Sequence, residues 1–527
     1  MESSNTNRMY TKYFGWIKYV SVEPTMWLYM MAFMFTSVIE QDLFRYKACR
    51  VDHGCSEEIC RHLSDDDNKE IKTKVQMTVS EFHQWNDIAG HVMPIILAMF
   101  YGNWSDRRGR KLPLVLGLMG KFIYSFMIVI NSMIDTWNLN MVVYTATLPM
   151  SILGSDVAIF GSSFAYISDI SSVQQRTMRI TILDVVYLST MPTGVALGSY
   201  VFTHLVNMSY TIMFAVNATL LLIAIIYSFL WLKWQTSPRQ QSLSDNNWLL
   251  DFFDRRHVAT TIRTLLKSRL NHGKLHLWLL LLAMCLYTFQ RDEKAKSQMY
   301  TSLIFNWNVT DFSNFKTFQS TLFVLAMLIG VPVMSKLIRM KDTFIVMVGA
   351  IAHAAGRIVF LLNCQFLRMR FYSLELNFTL KREKRRFSGK VFAMLSVCDN
   401  AVPLFSSILY SQLYNATIKT APNSFYWLTF ATQIAVLLII LLIQFSSWSK
   451  HATEQQDYND DEVISLRKIV ITVAAALIVI AAFVHAVPTS SPIPSGAITI
   501  YPIPQRPPYA PNPWIYPKPT TVQPAGR

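Results

Sequence analysis

The chain has 527 residues, of which 52% are hydrophobic and only 15% charged. That balance is too apolar for a string of soluble domains and sets most of the chain against lipid. The net charge of +15 does not point to nucleic acid, because the cations fall in short loops beside apolar runs rather than on one basic module.

In chain order, Met1 to Lys18 is polar and has no leading apolar core, so no cleavable signal is expected before the first span. That span runs from about Val22 to Leu43 and opens with Glu23-Pro24, a pair suited to the first turn of a helix because proline needs no donor there. The polar loop Arg45 to Phe82 carries Cys49, Cys55 and Cys60. Three thiols allow at most one internal disulfide, and only if the loop lies outside the cytosol. His53 and His62 sit nearby, but the spacing fits no familiar zinc pattern and no metal is expected. Cys285, Cys364 and Cys398 lie in or beside apolar runs and read as small buried hydrophobes. A second span ends at Tyr101. Further spans follow at about 112–133, 140–167, 180–206 and 211–233, then a long basic loop at 235–274. The seventh span, from about Leu275, is short; the eighth covers about Phe312 to Val333, and the ninth starts near Thr343. Apolar runs return at Val391 to Leu413 and Phe425 to Phe445. No phosphate-cradling loop, hydrolase elbow or metalloprotease helix is present, which disfavours an enzyme or an ATP-driven pump.

Between the second and third spans stands Gly102-Asn-Trp-Ser-Asp106-Arg107-Arg-Gly109-Arg110-Lys111. Its order is the signature of the corresponding loop in major facilitator transporters. The glycines permit close helix approach or a turn at positive φ. Asp106 is expected at a neighbouring helix N-terminus, and the cations hold the loop in the cytosol. Together with Val22-Glu-Pro-x-x-x-Leu-Tyr-Met30, Gln175-Arg-Thr-x-Arg179 and Gly389-Lys-Val-Phe-Ala393, this loop makes the chain resemble the proton-coupled folate transporter family, solute carrier family 46, over about Val22 to Trp448. The resemblance implies an all-α multi-pass membrane protein with two pseudo-symmetric six-helix halves and cytosolic termini. It places the first half at 1–234, a cytosolic linker at 235–274 and an incomplete second half at 275–448. The activity it implies is proton-coupled uptake of folate or other small organic anions, including muropeptide-like compounds, by alternating access. The proton is then the coupling ion and no other cofactor is expected. The membrane would be the plasma membrane or an endolysosomal one; Asp245-Asn-Asn-Trp-Leu-Leu250 fits an acidic dileucine sorting motif.

Two departures stand out. The tenth span, which in the family carries an arginine important for substrate, is missing between Arg357 and Lys390, where Lys381-Arg-Glu-Lys-Arg-Arg386 appears instead. Beyond a cytosolic stretch at 449–468, residues 469–486 have the layout of a signal or an extra span, and 487–527 hold twelve of the 21 prolines, as in an extended proline-rich tail. A different class therefore stays open: a non-transporting scaffold, or the precursor of a secreted proline-rich, antimicrobial-like peptide.

Ionisable groups inside spans are costly in lipid and default to functional candidates. Asp184 stands where the family has an acid tied to proton coupling. Asp156 lies mid-span among Gly154, Ser155 and Gly161, where small residues allow close helix contact. Asp87 with His91, and His353 with Arg357, are spaced i, i+4 and share a helix face; all four are candidates for the substrate cavity. Asn207, Asn308 and Asn415 head sequons in loops expected outside.

Overall fold

In the computed structural model the described residues are 20–454, except 62, 64–67, 173, 237–239, 241–250, 255–272, 331, 338–341 and 362–388. The stretch expected to lack the tenth span, the dileucine motif and everything after 454 lie outside them. The regular structure among the described residues is helical. Among the described residues, five segments are long and apolar enough to cross a membrane by length and composition, including Lys111–Met133, Tyr210–Trp231 and Phe425–Ile443. Large apolar side chains such as Phe229, Leu230, Trp231, Phe405 and Leu442 are more than half exposed, as suits lipid-facing surfaces rather than water-facing ones.

The first half contains α1 (Glu23–Lys47), a short α2 (Glu57–Arg61), α3 (Lys69–Arg108), α4 (Lys111–Met133), α5 (Leu148–Ile152), α6 (Ser155–Ile170), α7 (Arg176–Tyr200) and α8 (Tyr210–Trp231). Pro24 occupies the first turn of α1, and Ser21 donates its N–H and hydroxyl to Glu23 at 2.6 and 3.0 Å. α1 packs between α7 and α8, and α4 packs on α6 and α8. Close approach of α1 and α7 depends on Gly194 and Gly198, where any side chain would drive into Met34 or the Phe35 backbone; this is the small-xxx-small device of membrane helices. Asn217 of α8 donates to the Ala32 carbonyl (2.9 Å) and the Thr36 hydroxyl (2.6 Å) of α1. A polar group between apolar helices thereby fixes their register.

The second half contains α9 (Gly273–Phe289), α10 (Glu293–Phe305), α11 (Val309–Leu325), α12 (Asp342–Leu361), α13 (Gly389–Thr417) and α14 (Phe425–Glu454). α14 packs on α9 and α12; α13 and α11 meet the first half through α3 and α7. Two sequence boundaries move. The helix of the second span does not stop with the apolar run at Tyr101: it begins at Lys69, inside the stretch read as loop, and continues to Arg108. The seventh span does not stop short: a 3₁₀ turn, Gln290–Asp292, joins α9 to α10. The charged run at that junction mimics a loop in sequence.

Cys49 and Cys60 form a disulfide across eleven residues and leave Cys55 a free thiol. A persistent disulfide marks this face as exoplasmic. On the same face Lys47 donates to the carbonyls of Asn131 and Ile134, satisfying the otherwise orphaned end of α4. Burial pushes the Asp52 carboxyl above its ordinary value, against the N–H of Leu139 that it accepts at 3.4 Å. Because the folded state then binds the proton more tightly, the loop is most stable in acid and loses stability as pH rises through the folded pKa. Replacing Cys49 and Cys60 together with serine is expected to cost about 3 kcal/mol, the loop-closure entropy of a cross-link of this length. A lowered thermal midpoint in detergent is the readout; an unchanged midpoint would show that packing alone holds the loop.

Candidate functional site

On the opposite face, α3 ends at Gly109, whose φ of +110° is strained for any other residue. A Cβ there would also overlap the Trp234 carbonyl at the end of the first half. Asp106 does not cap a helix N-terminus as expected. It pairs with Arg110, whose Nε also donates to Asp169 of α6 at 3.1 Å. Lys111 donates to the carbonyls of Phe229 (2.6 Å) and Leu232 (2.8 Å) and lies 4.2 Å above the Trp234 ring. It therefore neutralises the C-terminal end of α8. Arg108 and Arg107 reach Asp251 of the linker at 3.1 and 3.5 Å, and Phe252 inserts among Phe100, Tyr101 and Trp104. The loop motif thus ties α3, α4, α6, α8 and the linker into one block. Gly102 lies within the last turns of α3.

The fourth span is broken where the sequence suggested mere close packing. Gly154 (φ +89°) ends a short turn against Tyr101, and Gly161 has open space around it. Asp156 consequently sits in the first turn of α6, where the helix dipole favours a carboxylate. It accepts from the Tyr29 hydroxyl of α1 and pairs with Lys121 of α4 at 2.9 Å. Its partners lie inside the first half, yet its side chain is 51% accessible, so it lines an interior space rather than a packed core. Arg291, at the α9–α10 junction, is within electrostatic reach of Asp156 and hydrogen-bonds the His91 Nε2 at 2.8 Å. The other His91 nitrogen contacts the Asp87 carbonyl at 2.7 Å. Asp87 and His91 do not pair through their side chains, although they share a face. Both reach the second half, Asp87 by accepting from Ser407 of α13 at 2.6 Å.

His353 and Arg357 do share a helix face, with 3.3 Å between them. Arg357 does not turn its charge toward a substrate: it forms a two-pronged ion pair with Glu293 of α10, both contacts 3.0 Å, and the two side chains are 3% and 2% exposed. A substrate anion at this place would have to compete with the Glu293 carboxylate for the guanidinium. Asp184 is half-buried on α7, one residue from the fully buried Leu183. The sequence reading missed Tyr29, Glu40, Lys121, Arg291, Asp292, Glu293 and Lys296. Glu40 accepts from Tyr124 at 2.8 Å, and Asp292 accepts from Ser406. The available signal was the shortness of the seventh span, which could reach bilayer length only by taking the Arg291 to Lys296 charges into the membrane.

Among the described residues, bonds between the halves concentrate on the disulfide side. Lys72 meets Asn306 (2.9 Å), Gln76 meets the Met299 carbonyl and Tyr414 (both 2.9 Å), and Lys296 meets the Ser80 hydroxyl (2.8 Å). Ser411 donates to the Ser80 carbonyl (3.0 Å) and Gln412 to Gln84 (3.2 Å). Two helical bundles zipped at the exoplasmic ends, with ionisable groups from both facing an interior space, define a secondary active transporter closed to the outside.

Comparison with known proteins agrees. Residues 74–374 match the Major Facilitator Superfamily. A Drosophila melanogaster protein described as a probable peptidoglycan muropeptide transporter SLC46 is 22% identical over 447 residues, 77% of this chain and 81% of its own. The partially occluded, inward-open xylose transporter XylE from E. coli superposes with a TM-score of 0.54 at 14% identity, covering 81% of this chain and 97% of the other. The human organic anion transporter MFSD10 (TETRAN) gives 0.55 at 12% identity, covering 80% and 97%. The chain belongs to the Major Facilitator Superfamily.

Proposed function

We propose that this multi-pass membrane protein moves small organic anions, folate-like or muropeptide-like, together with protons, at the plasma membrane or an endolysosomal membrane. The observation that carries the reading is the Tyr29–Asp156–Lys121 cluster facing Arg291 and His91 across the interior. Cations from both halves offer an anion its counter-charges, while a carboxylate beside them can exchange a proton as the charge balance changes. The name of the Drosophila relative supports the muropeptide alternative; the family resemblance supports folate. Asp184 and Asp156 are the proton-coupling residues in this reading, and Asn207 and Asn308, both exposed, the glycan acceptors. Asn415 is the poorest of the three sequons, since it sits inside the last turn of α13 with its Oδ1 buried.

The test is uptake of labelled folate and of labelled muramyl dipeptide by cells expressing the chain, at external pH 5.5 and 7.4. Uptake of one of them above control cells, several-fold greater at pH 5.5, is expected. Uptake that ignores pH would remove the proton from the mechanism, and no uptake of either would remove both substrate classes.

A further inference from the structure

His83 is not used by the mechanism above, yet its surroundings are unusual. It lies on α3 in line with Asp87 and His91, at successive i, i+4 steps. The side chain is 5% exposed, and its Nε2 is sealed from solvent without a hydrogen-bond partner. Phe44 of α1 packs against it with 5.9 Å between ring centroids. At 1.5 Å per residue, a hydrocarbon layer of about 30 Å measured up α3 from Gly102 ends close to His83. The ring is therefore at the exoplasmic border, packed against Phe44 of the first half and within electrostatic reach of Lys296 of the second.

The charges around it come from several elements. From α10, Lys296 enters the same pocket and donates to the carbonyl and hydroxyl of Ser80, one turn from His83. Asp292 and Asp87 act on Lys296, whereas Lys296 is the charge that acts on the His83 ring. α1 contributes Glu40, already held by Tyr124, and the Asp42–Arg45 pair. α13 contributes the buried phenols Tyr410 and Tyr414, bonded to Thr429 and Gln76. The closed arrangement thus brings one basic side chain of the second half, Lys296, up to the unpartnered imidazole.

The geometry points to His83 as the residue through which exoplasmic acidity opens the exoplasmic lock. When the halves part, the ring meets the medium and takes a proton on Nε2. The imidazolium then opposes Lys296 and holds α10 and α13 away from α3. Closure follows when the proton leaves, Asp87 one turn inward being the next acceptor along the same face. This rests on the proton-driven reading only for its direction, so the experiment reads the gate rather than uptake.

A cysteine at Ser411, buried in the lock, is placed in a chain carrying Cys55→Ser, and its labelling by an impermeant thiol reagent in intact cells is compared at pH 5.5 and 7.4. Labelling is normalised to a cysteine at the exposed Lys74 in a parallel chain, which also reports the amount at the surface. Acid is expected to raise the ratio about threefold or more, and His83→Gln to abolish the rise while leaving the neutral-pH ratio unchanged. Lys296→Gln, which keeps the histidine but removes the charge it opposes, is expected to lose the response as well and decides the matter should His83→Gln fail to reach the surface. An acid response retained in either variant, or absent from the parent, overturns the proposal. Loss of pH-dependent uptake with an intact labelling response would instead count against the transport reading.

Discussion

Arg357→Ala is expected to destabilise the protein by about 3–5 kcal/mol, because it leaves the Glu293 carboxylate buried without its cation. The pair joins α10 to α12 at a point where both side chains are almost fully enclosed, so water cannot replace the lost partner. Replacing Glu293 alone with glutamine should be similarly costly, since the guanidinium then keeps its charge but loses both acceptor oxygens. Exchanging the two residues together for methionine should recover most of the loss, because desolvating a buried ion pair offsets much of its Coulomb attraction. Thermal unfolding in detergent, followed by the fraction that stays monodisperse, measures all three. A single variant as stable as the parent would show that the pair does not hold α10 to α12.

That result also bears on what could be seen before the structure. The spans were legible wherever apolar runs are continuous: Lys111–Met133 and Tyr210–Trp231 fall close to the expected 112–133 and 211–233. The seventh span was not, because α10 carries Glu293, Lys294 and Lys296 and reads as a loop. Its charges are tolerated through partners far away in sequence, Arg357 for Glu293 and Ser80 for Lys296. Periodicity cannot reveal such partners. The i, i+4 spacing of His353 and Arg357 was correct as geometry, while the Glu293 partner of the guanidinium was invisible for the same reason. Parity limited the loop cysteines to one disulfide, while only the fold selects Cys49 with Cys60. At Gly109 the need for glycine was visible in the motif, but the Trp234 carbonyl that occupies the Cβ position was not. Asp156 was placed in a helix interior; the break at Gly154 makes it a helix N-terminus, which changes what its charge can do.

Asp184 and Asp156 should separate when each is changed to asparagine. Asp184 is half-buried on α7, and the resemblance to the folate-transporter family is what proposes it as the coupling acid. If its reversible protonation lets the loaded and empty carriers reorient with different charge, Asp184→Asn removes the pH dependence of uptake and leaves surface expression intact. Asp184→Glu keeps the titrating group and should retain much of the coupling. Asp156→Asn acts differently. It strands the ammonium of Lys121, which is only 13% exposed, and takes the acceptor from the buried Tyr29 hydroxyl. Loss of about tenfold or more in uptake is expected at both acidic and neutral external pH, equivalent to roughly 1.4 kcal/mol or more. Lys121→Gln combined with Asp156→Asn should restore part of it, because an amide pair leaves no uncompensated charge. Uptake at external pH 5.5 and 7.4, corrected for surface protein, distinguishes the two roles. If Asp184→Asn kept the parent profile while Asp156→Asn flattened it, the coupling proton would belong to the α6 terminus and Asp184 would be structural.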